Sequence, residues 1–208
     1  MRLPQSLQDS DDRRALAALK RYYGEVPAEQ SSPFTGARFD TWDSTGTRRN
    51  DQHRFTADDL VAVTFLSVDV PAVAAIRLLE TQAAEFTRLL EALGQDRDLV
   101  DEKEPWSDDW PGWTLWRELM NLPGVGATTA SKLLARKRPR LRPIYDSVVA
   151  EVIGSKNLWE PLRACLTAQP EIHERLLRLH HHANLPDDVS ALRVFDVVTW
   201  MEGKYGAP

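Results

Sequence analysis

The chain is short of cysteine, of positive charge and of long apolar runs, and each shortage closes off a class of protein. A single cysteine, Cys165, leaves no disulfide framework and no cysteine-ligated iron–sulfur cluster within the chain, and the expected compartment is a reducing cytoplasm. A formal charge of -5 and a pI near 5.6 exclude a bulk polycation, so any contact with nucleic acid has to come from a local patch. No apolar run reaches membrane-spanning length, and the opening MRLPQSLQDSDDRR has no apolar core of signal-peptide type, so no membrane partner is expected. Sustained period-two alternation and internal repeats are also missing, which excludes an ordinary sheet protein or a solenoid.

What is present is a helical pattern. The 208 residues, 42% of them hydrophobic, can bury one large domain or two small lobes around a cleft. Ser10 or Asp11 caps a predicted helix that runs through Tyr23 and stops at Gly24, with Leu16, Leu19 and Tyr23 on one face. Residues 25–55 break the pattern. They are rich in Ser, Thr, Gly, Pro and Asp, yet Phe34, Phe39, Trp42 and Phe55 argue for a segment that packs back on the body, over a pocket. Thr56-Ala-Asp-Asp59 resembles a capping signal for the next helix. Pro71 opens another through Glu80. Thr81 starts a third, with Phe86, Leu89, Leu90 and Leu93 as its stripe and Gly94 as its stop. After a charged, Trp-bearing loop over 96–113, further helices are expected over Thr114–Met120, Ala127–Arg136, from Asp146 to about Ile153, over Leu158–Ala168 and Glu171–Ala183, and from Pro186 onward. The class is mainly α.

The distinctive stretch is Asn121 to Asp146. Leu122-Pro123-Gly124-Val125-Gly126 is a tight turn between two helices, and a Gly-x-Gly turn that opens a helix exposes backbone N–H groups at the positive end of the dipole. Lys132, Arg136, Lys137, Arg138, Arg140 and Arg142 follow, with no acidic residue between Glu118 and Asp146. In an acidic chain this run reads as a local patch for a phosphate backbone. The plainer alternative is a solvated helix face beside a glycine turn.

The stretch 114–153 resembles the helix–hairpin–helix of the DNA glycosylase superfamily related to endonuclease III. The resemblance rests on Leu122-Pro-Gly-Val-Gly126, on Thr129-Ala130, on the loop with Pro139 and Pro143, and on Ile144-Tyr145-Asp146-Ser147. A bacterial family of unknown function sharing only this signature would fit as well. The resemblance implies a two-lobed helical fold forming a single unit over 1–208, double-stranded DNA as partner, and excision of a damaged or modified base, a hydrolytic step of DNA repair. It implies that Leu122, Pro123, Gly124, Val125, Gly126 and Thr128 grip one strand, with Lys132, Arg136, Arg140 and Arg142 adding charge. Backbone carbonyls of Met120, Leu122 and Val125 would hold a monovalent cation. The target nucleotide would be flipped out, and Asp146 would stabilise the oxocarbenium-like sugar as the base departs. The plain reading of Asp146 is a helix N-cap, worth about 1 kcal/mol. Thr128 stands where bifunctional relatives carry a Schiff-base lysine, so the resemblance implies a monofunctional enzyme. Glu151 stands where many relatives carry arginine and counts against catalysis on DNA. The alternative is a non-catalytic, sequence-independent DNA-binding module of the same fold.

Trp42, Trp110, Trp113 and Tyr145 are candidates for a base-stacking pocket. Trp106, Trp110, Trp113 and Trp116 read equally as core between helices. His180-His181-His182 cannot chelate one ion from a helix, because adjacent side chains point about 100° apart. Cys165 reads as an inert core thiol.

Overall fold

The last long helix, α11 (Ala191–Tyr205), is the one on which the others pack. The computed structural model describes residues 1–24, 34–103 and 105–206. Every residue of α11 from Ala191 to Thr199 is buried, and a helix apolar on nearly all faces belongs in the middle of a helical protein. Ser190 caps it by accepting the Arg193 amide at 3.1 Å. Around it lie α1 (Gln5–Gln8), α2 (Arg13–Tyr23), α8 (Ser147–Ile153) and α10 (Pro170–His182). Gly203 lets α8 come close, since a Cβ there would sit 2.5 Å from Val148 Cγ1 and 2.8 Å from Val152 Cγ2.

The remaining helices are α3 (Ala57–Thr64), α4 (Ala72–Ile76), α5 (Ala83–Leu93), α6 (Pro111–Met120), α7 (Ala127–Lys137) and α9 (Trp159–Ala168). They pair as α3 with α7, α5 with α6, α6 with α7 and α9 with α10. No strand occurs among the described residues, so the protein is mainly helical. Among those residues no helix is long and apolar enough to cross a membrane.

Local signals set most boundaries. Gly24, Gly94 and Gly154 end α2, α5 and α8 at positive φ, and Thr56 with Asp59 forms a full capping box on α3. Two boundaries and one buried position differ from the sequence pattern. α6 begins at Pro111 rather than Thr114, because Pro is well suited to a first turn. The expected break at Thr81 is a π-helical turn, Arg77–Thr81, between α4 and α5. Tyr22, not Tyr23, is the tyrosine of α2 counted in the buried core.

Residues 25–33 of the irregular segment lie outside the described residues. The rest of it opens with a 3₁₀ turn, Thr35–Arg38, and buries Phe39 and Phe55. Asp58 holds the segment down by accepting from the Ser44 amide at 2.8 Å and from Trp42 Nε1 at 3.1 Å. The histidine triplet forms the last turn of α10, with His181 and His182 exposed. Cys165 is half-buried, and burial raises its thiol pKa.

Candidate functional site

The basic run after the hairpin does not form a surface patch. Arg136, Lys137, Arg138 and Arg142 are buried, and so is Lys132. Arg136 donates to Asp59 Oδ1 at 3.2 Å, to Phe39 O at 2.6 Å and to Trp42 O. Lys137 Nζ reaches Asp59 Oδ2 at 2.7 Å. Arg138 closes the C-terminal end of α5 by donating to Leu90 O at 2.7 Å and Gly94 O at 2.8 Å, and burial pushes its pKa down to about 10. Arg142 lies between the Trp116 and Trp159 rings, 4.3 and 4.1 Å from their centroids. Its Nε has no hydrogen-bond partner among the described residues, and burial pushes its pKa down to about 9. Arg140 is exposed, but Asp98 holds its guanidinium. Arg136, Lys137, Arg138 and Arg140 tie α7 and the following loop to residues 39–59 and 90–98, and as placed they do not reach a phosphate.

The hairpin turn itself is open. Pro123, Gly124 and Gly126 are exposed, while Leu122 and Val125 anchor the turn in the core. Gly126 is the N-cap of α7 and supplies no side-chain cap, so the first amides of the helix face outward at its positive end. Of the three carbonyls considered for a cation, Leu122 O already accepts the Val125 amide at 3.1 Å. One of the donors therefore serves the turn. The two glycines have different reasons to be there. Gly124 has φ +75°, and a Cβ would meet Pro71 Cγ at 2.8 Å, whereas nothing lies within 4 Å of a Cβ at Gly126. Gly124→Ala is expected to cost about 1 kcal/mol or more in urea unfolding. Gly126→Ala is expected to leave the midpoint nearly unchanged.

Asp146 is the N-cap of α8 and also faces a cavity. Its Oδ1 accepts the Val148 amide at 2.9 Å, and its Oδ2 lies 3.7 Å from Lys132 Nζ. The cavity holds about 380 Å³ and is walled by Tyr22, Phe34, Phe65 and Trp200. Ser131, fully buried on α7, sets the approach to Asp146: its Oγ accepts the Tyr145 amide at 3.0 Å and donates to Thr128 O at 2.9 Å. Lys132 Nζ donates to Leu66 O at 2.8 Å, and burial lowers its pKa while Asp146 works against that shift. The next residue, Ser67, takes φ +60° at the cavity edge, a conformation L side chains adopt sparingly.

Behind these groups stands Arg193, buried on α11. It donates to Asp40 Oδ2 at 3.0 Å, to Tyr22 Oη at 2.9 Å, to Gly36 O at 2.9 Å and to Asp196. Gly36 permits this approach, because a Cβ there would collide with Tyr22 Oη. Arg193, Asp196 and Lys204 all line the cavity.

Several sequence expectations are corrected here. Trp42, Trp110, Trp113 and Tyr145 do not line the cavity that holds Asp146. Trp42 packs against Phe65, 5.3 Å between centroids, one layer behind the wall. Trp110 and Trp113 belong to a cluster around Trp159 with Trp106, packed as core. Thr128 is not part of the cavity lining either. Lys132, one turn further along α7, is the hairpin-helix residue brought to Asp146, and it serves the pocket rather than a phosphate surface. Arg193 and Asp196 were missed because periodicity counts only the apolar residues of α11. Their signal was present: two charges inside a run that otherwise reads Val194, Phe195, Val197, Val198.

Comparison with known proteins adds one relationship. The model of a family described as "Family of unknown function (DUF6308)" matches residues 15–203. No curated protein and no solved structure matches the chain. The glycosylase resemblance therefore rests on the residues of the 114–153 segment alone. With nearly its whole length matched, the chain belongs to the DUF6308 family.

Proposed function

We propose that this protein is a DNA-acting hydrolase of glycosylase type, with Asp146 as its catalytic carboxylate and the α6–α7 turn as its strand contact. The observation that carries this reading is the position of Asp146, at once a helix cap and part of the lining of a cavity with aromatic walls. A cavity of about 380 Å³ falls within the roughly 300–1,000 Å³ usual for small-molecule sites, and its flat walls suit a planar base. The open amides of the Gly-Val-Gly turn suit a phosphate. In this reading α6 and α7 are the helix–hairpin–helix of a two-lobed fold. Asp146 stabilises positive charge at the sugar as the base leaves, and Thr128 supplies no Schiff-base nitrogen.

The pocket favours an enzyme over a bare DNA-binding module. The module reading draws on Glu151, exposed on α8, while the internal basic run takes charge away from both readings. A lesion assay separates the two readings. Duplexes carrying an assortment of damaged bases are incubated with the protein and tested for alkali-labile abasic sites. Asp146→Asn keeps an acceptor for the Val148 amide, so the helix cap survives. It is expected to lower base release about 10²–10³-fold with duplex binding retained. Unchanged release in that variant overturns the role of Asp146. Gly126→Glu places charge against the strand and is expected to weaken duplex binding under either reading, measured at two salt concentrations.

A further inference from the structure

Asp196 is a buried carboxylate with one oxygen free. It sits between Phe195 and Val197 in the all-buried stretch of α11, and its side chain is 5% exposed. Arg193 Nη1 donates to Oδ2, while Oδ1 has no hydrogen-bond partner among the described residues. The residue lines the same cavity as Asp146 and Lys132.

A carbon–nitrogen glycosidic bond breaks with its electron pair leaving on the base nitrogen. A neutral base is a poor leaving group unless that nitrogen gains a proton. Asp146 is badly placed to give one: its Oδ1 is taken by the Val148 amide at 2.9 Å and its Oδ2 lies 3.7 Å from Lys132 Nζ, so both oxygens already have a donor beside them. Resting on the glycosylase reading, we propose that Asp196 is the general acid of this pocket, delivering a proton from Oδ1 to the departing base nitrogen.

The step balances. The C1′–N bond breaks, its electron pair stays with the base, and the base takes the Asp196 proton. Water then adds its oxygen to C1′ and gives its proton to Asp146. That proton returns through pocket water to Asp196, so the net reaction consumes one water.

The surroundings fit the role. Burial raises the Asp196 carboxyl pKa to about 6, Arg193 opposes the rise, and the charge of Asp146 adds to it. The facing groups are Lys132 from α7, Asp146 from α8, Tyr22 and Tyr23 from α2, and Arg193 and Lys204 on α11, with Asp40 bound to Arg193. Two carboxyls in one pocket with different neighbours can divide acid and charge-stabilising roles between them.

Two measurements test the proposal. Carboxyl-carbon NMR of aspartate-labelled protein, assigned with Asp196→Asn, is expected to show a titration midpoint near 6 that falls in Asp146→Asn. An ordinary carboxylate midpoint, or one indifferent to Asp146, overturns the assignment without reference to any substrate. On duplexes that the unaltered protein processes, Asp196→Asn is expected to slow release of neutral bases about 10²–10⁴-fold. Release of an N-alkylated base, which carries its positive charge while still attached and departs neutral without a proton, should fall less than tenfold. Equal losses on both substrates overturn the role of Asp196 and leave that of Asp146 standing. No release of any base by the unaltered protein overturns the glycosylase reading and the general acid with it. A thermal melt of Asp196→Asn checks that the fold is kept, since Arg193 retains Asp40 and Tyr22.

Discussion

Asp59→Asn is expected to lower the unfolding free energy by about 3–5 kcal/mol, read as the midpoint of a urea titration followed by circular dichroism. Asp59 receives Lys137 Nζ at 2.7 Å on Oδ2 and Arg136 Nε at 3.2 Å on Oδ1, and all three side chains are at most 2% exposed. The same carboxylate accepts the Thr56 amide at 2.9 Å, so one group caps α3 and neutralises two cations of α7. An asparagine preserves the shape and the amide acceptor but removes the charge. Two buried cations would then face each other with no counter-ion, and leaving charges uncompensated in the interior is the expensive part of breaking a buried pair. Replacing all three by apolar residues of similar volume, Asp59→Leu with Arg136→Met and Lys137→Met, is expected to recover much of the loss. If the triple variant is as unstable as the single one, the hydrogen bonds of Arg136 to Phe39 O and of Asp59 to Thr56 matter more than the charge balance. An exposed pair gives the contrast: Arg13→Ala, which removes the partner of Asp11, should not move the midpoint.

The same triad explains what the sequence could and could not convey. Helix ends are written locally. Thr56 with Asp59, Gly24, Gly94 and Gly154 act within a turn of where they stand, so they were legible. The fate of the basic run was not, because its partners lie far away in the chain. Arg136 meets Asp59 across 77 positions, and Arg138 meets Leu90 across 48. A stretch free of acids from 119 to 145 looks like an unpaired patch only until the acids at 59, 96 and 98 fold against it. Asp146 was legible for the opposite reason: its role as a helix start depends on the residues beside it. Its pocket was not, since the walls come from α2, residues 34–36 of the irregular segment, the end of α3 and α11. Aromatic residues were the least informative. Phe34 and Trp200 line the cavity while Trp110 and Trp113 do not, and spacing along the chain does not distinguish the two pairs.

The tryptophans give the second large effect, and it discriminates between a stacking platform and a core. Trp159→Ala is expected to cost about 3–5 kcal/mol. Trp159 is 3% exposed, and its ring centroid lies 4.9–5.2 Å from those of Trp106, Trp110 and Trp113, all in edge-to-face contact. Its Nε1 donates to Leu141 O at 2.8 Å, which pins the loop between α7 and α8. One of its faces covers the Arg142 guanidinium, which has no carboxylate partner among the described residues and would lose half of its aromatic sandwich. Three losses therefore coincide: apolar volume, one buried hydrogen bond and the cover over a buried cation. Trp159→Phe keeps most of the volume and separates the terms; it should cost about 1 kcal/mol for the hydrogen bond plus a smaller packing loss. Coupling between the sites is measurable in a double-mutant cycle with Arg142→Met, where removing the cation first should make Trp159→Ala less damaging. A base-stacking role for this cluster would give the reverse pattern, with Trp159→Ala nearly neutral in stability and a large loss of duplex binding. The parallel pair Trp106 and Trp110, 4.1 Å apart at 5°, is half-buried against Trp159, so its stacking partner is already supplied from within the protein. The loop that Trp159 pins ends at Asp146. For that reason Trp159→Phe is also the variant in which a shift of Asp146, the carboxylate proposed as catalytic, would appear as lower base release without unfolding.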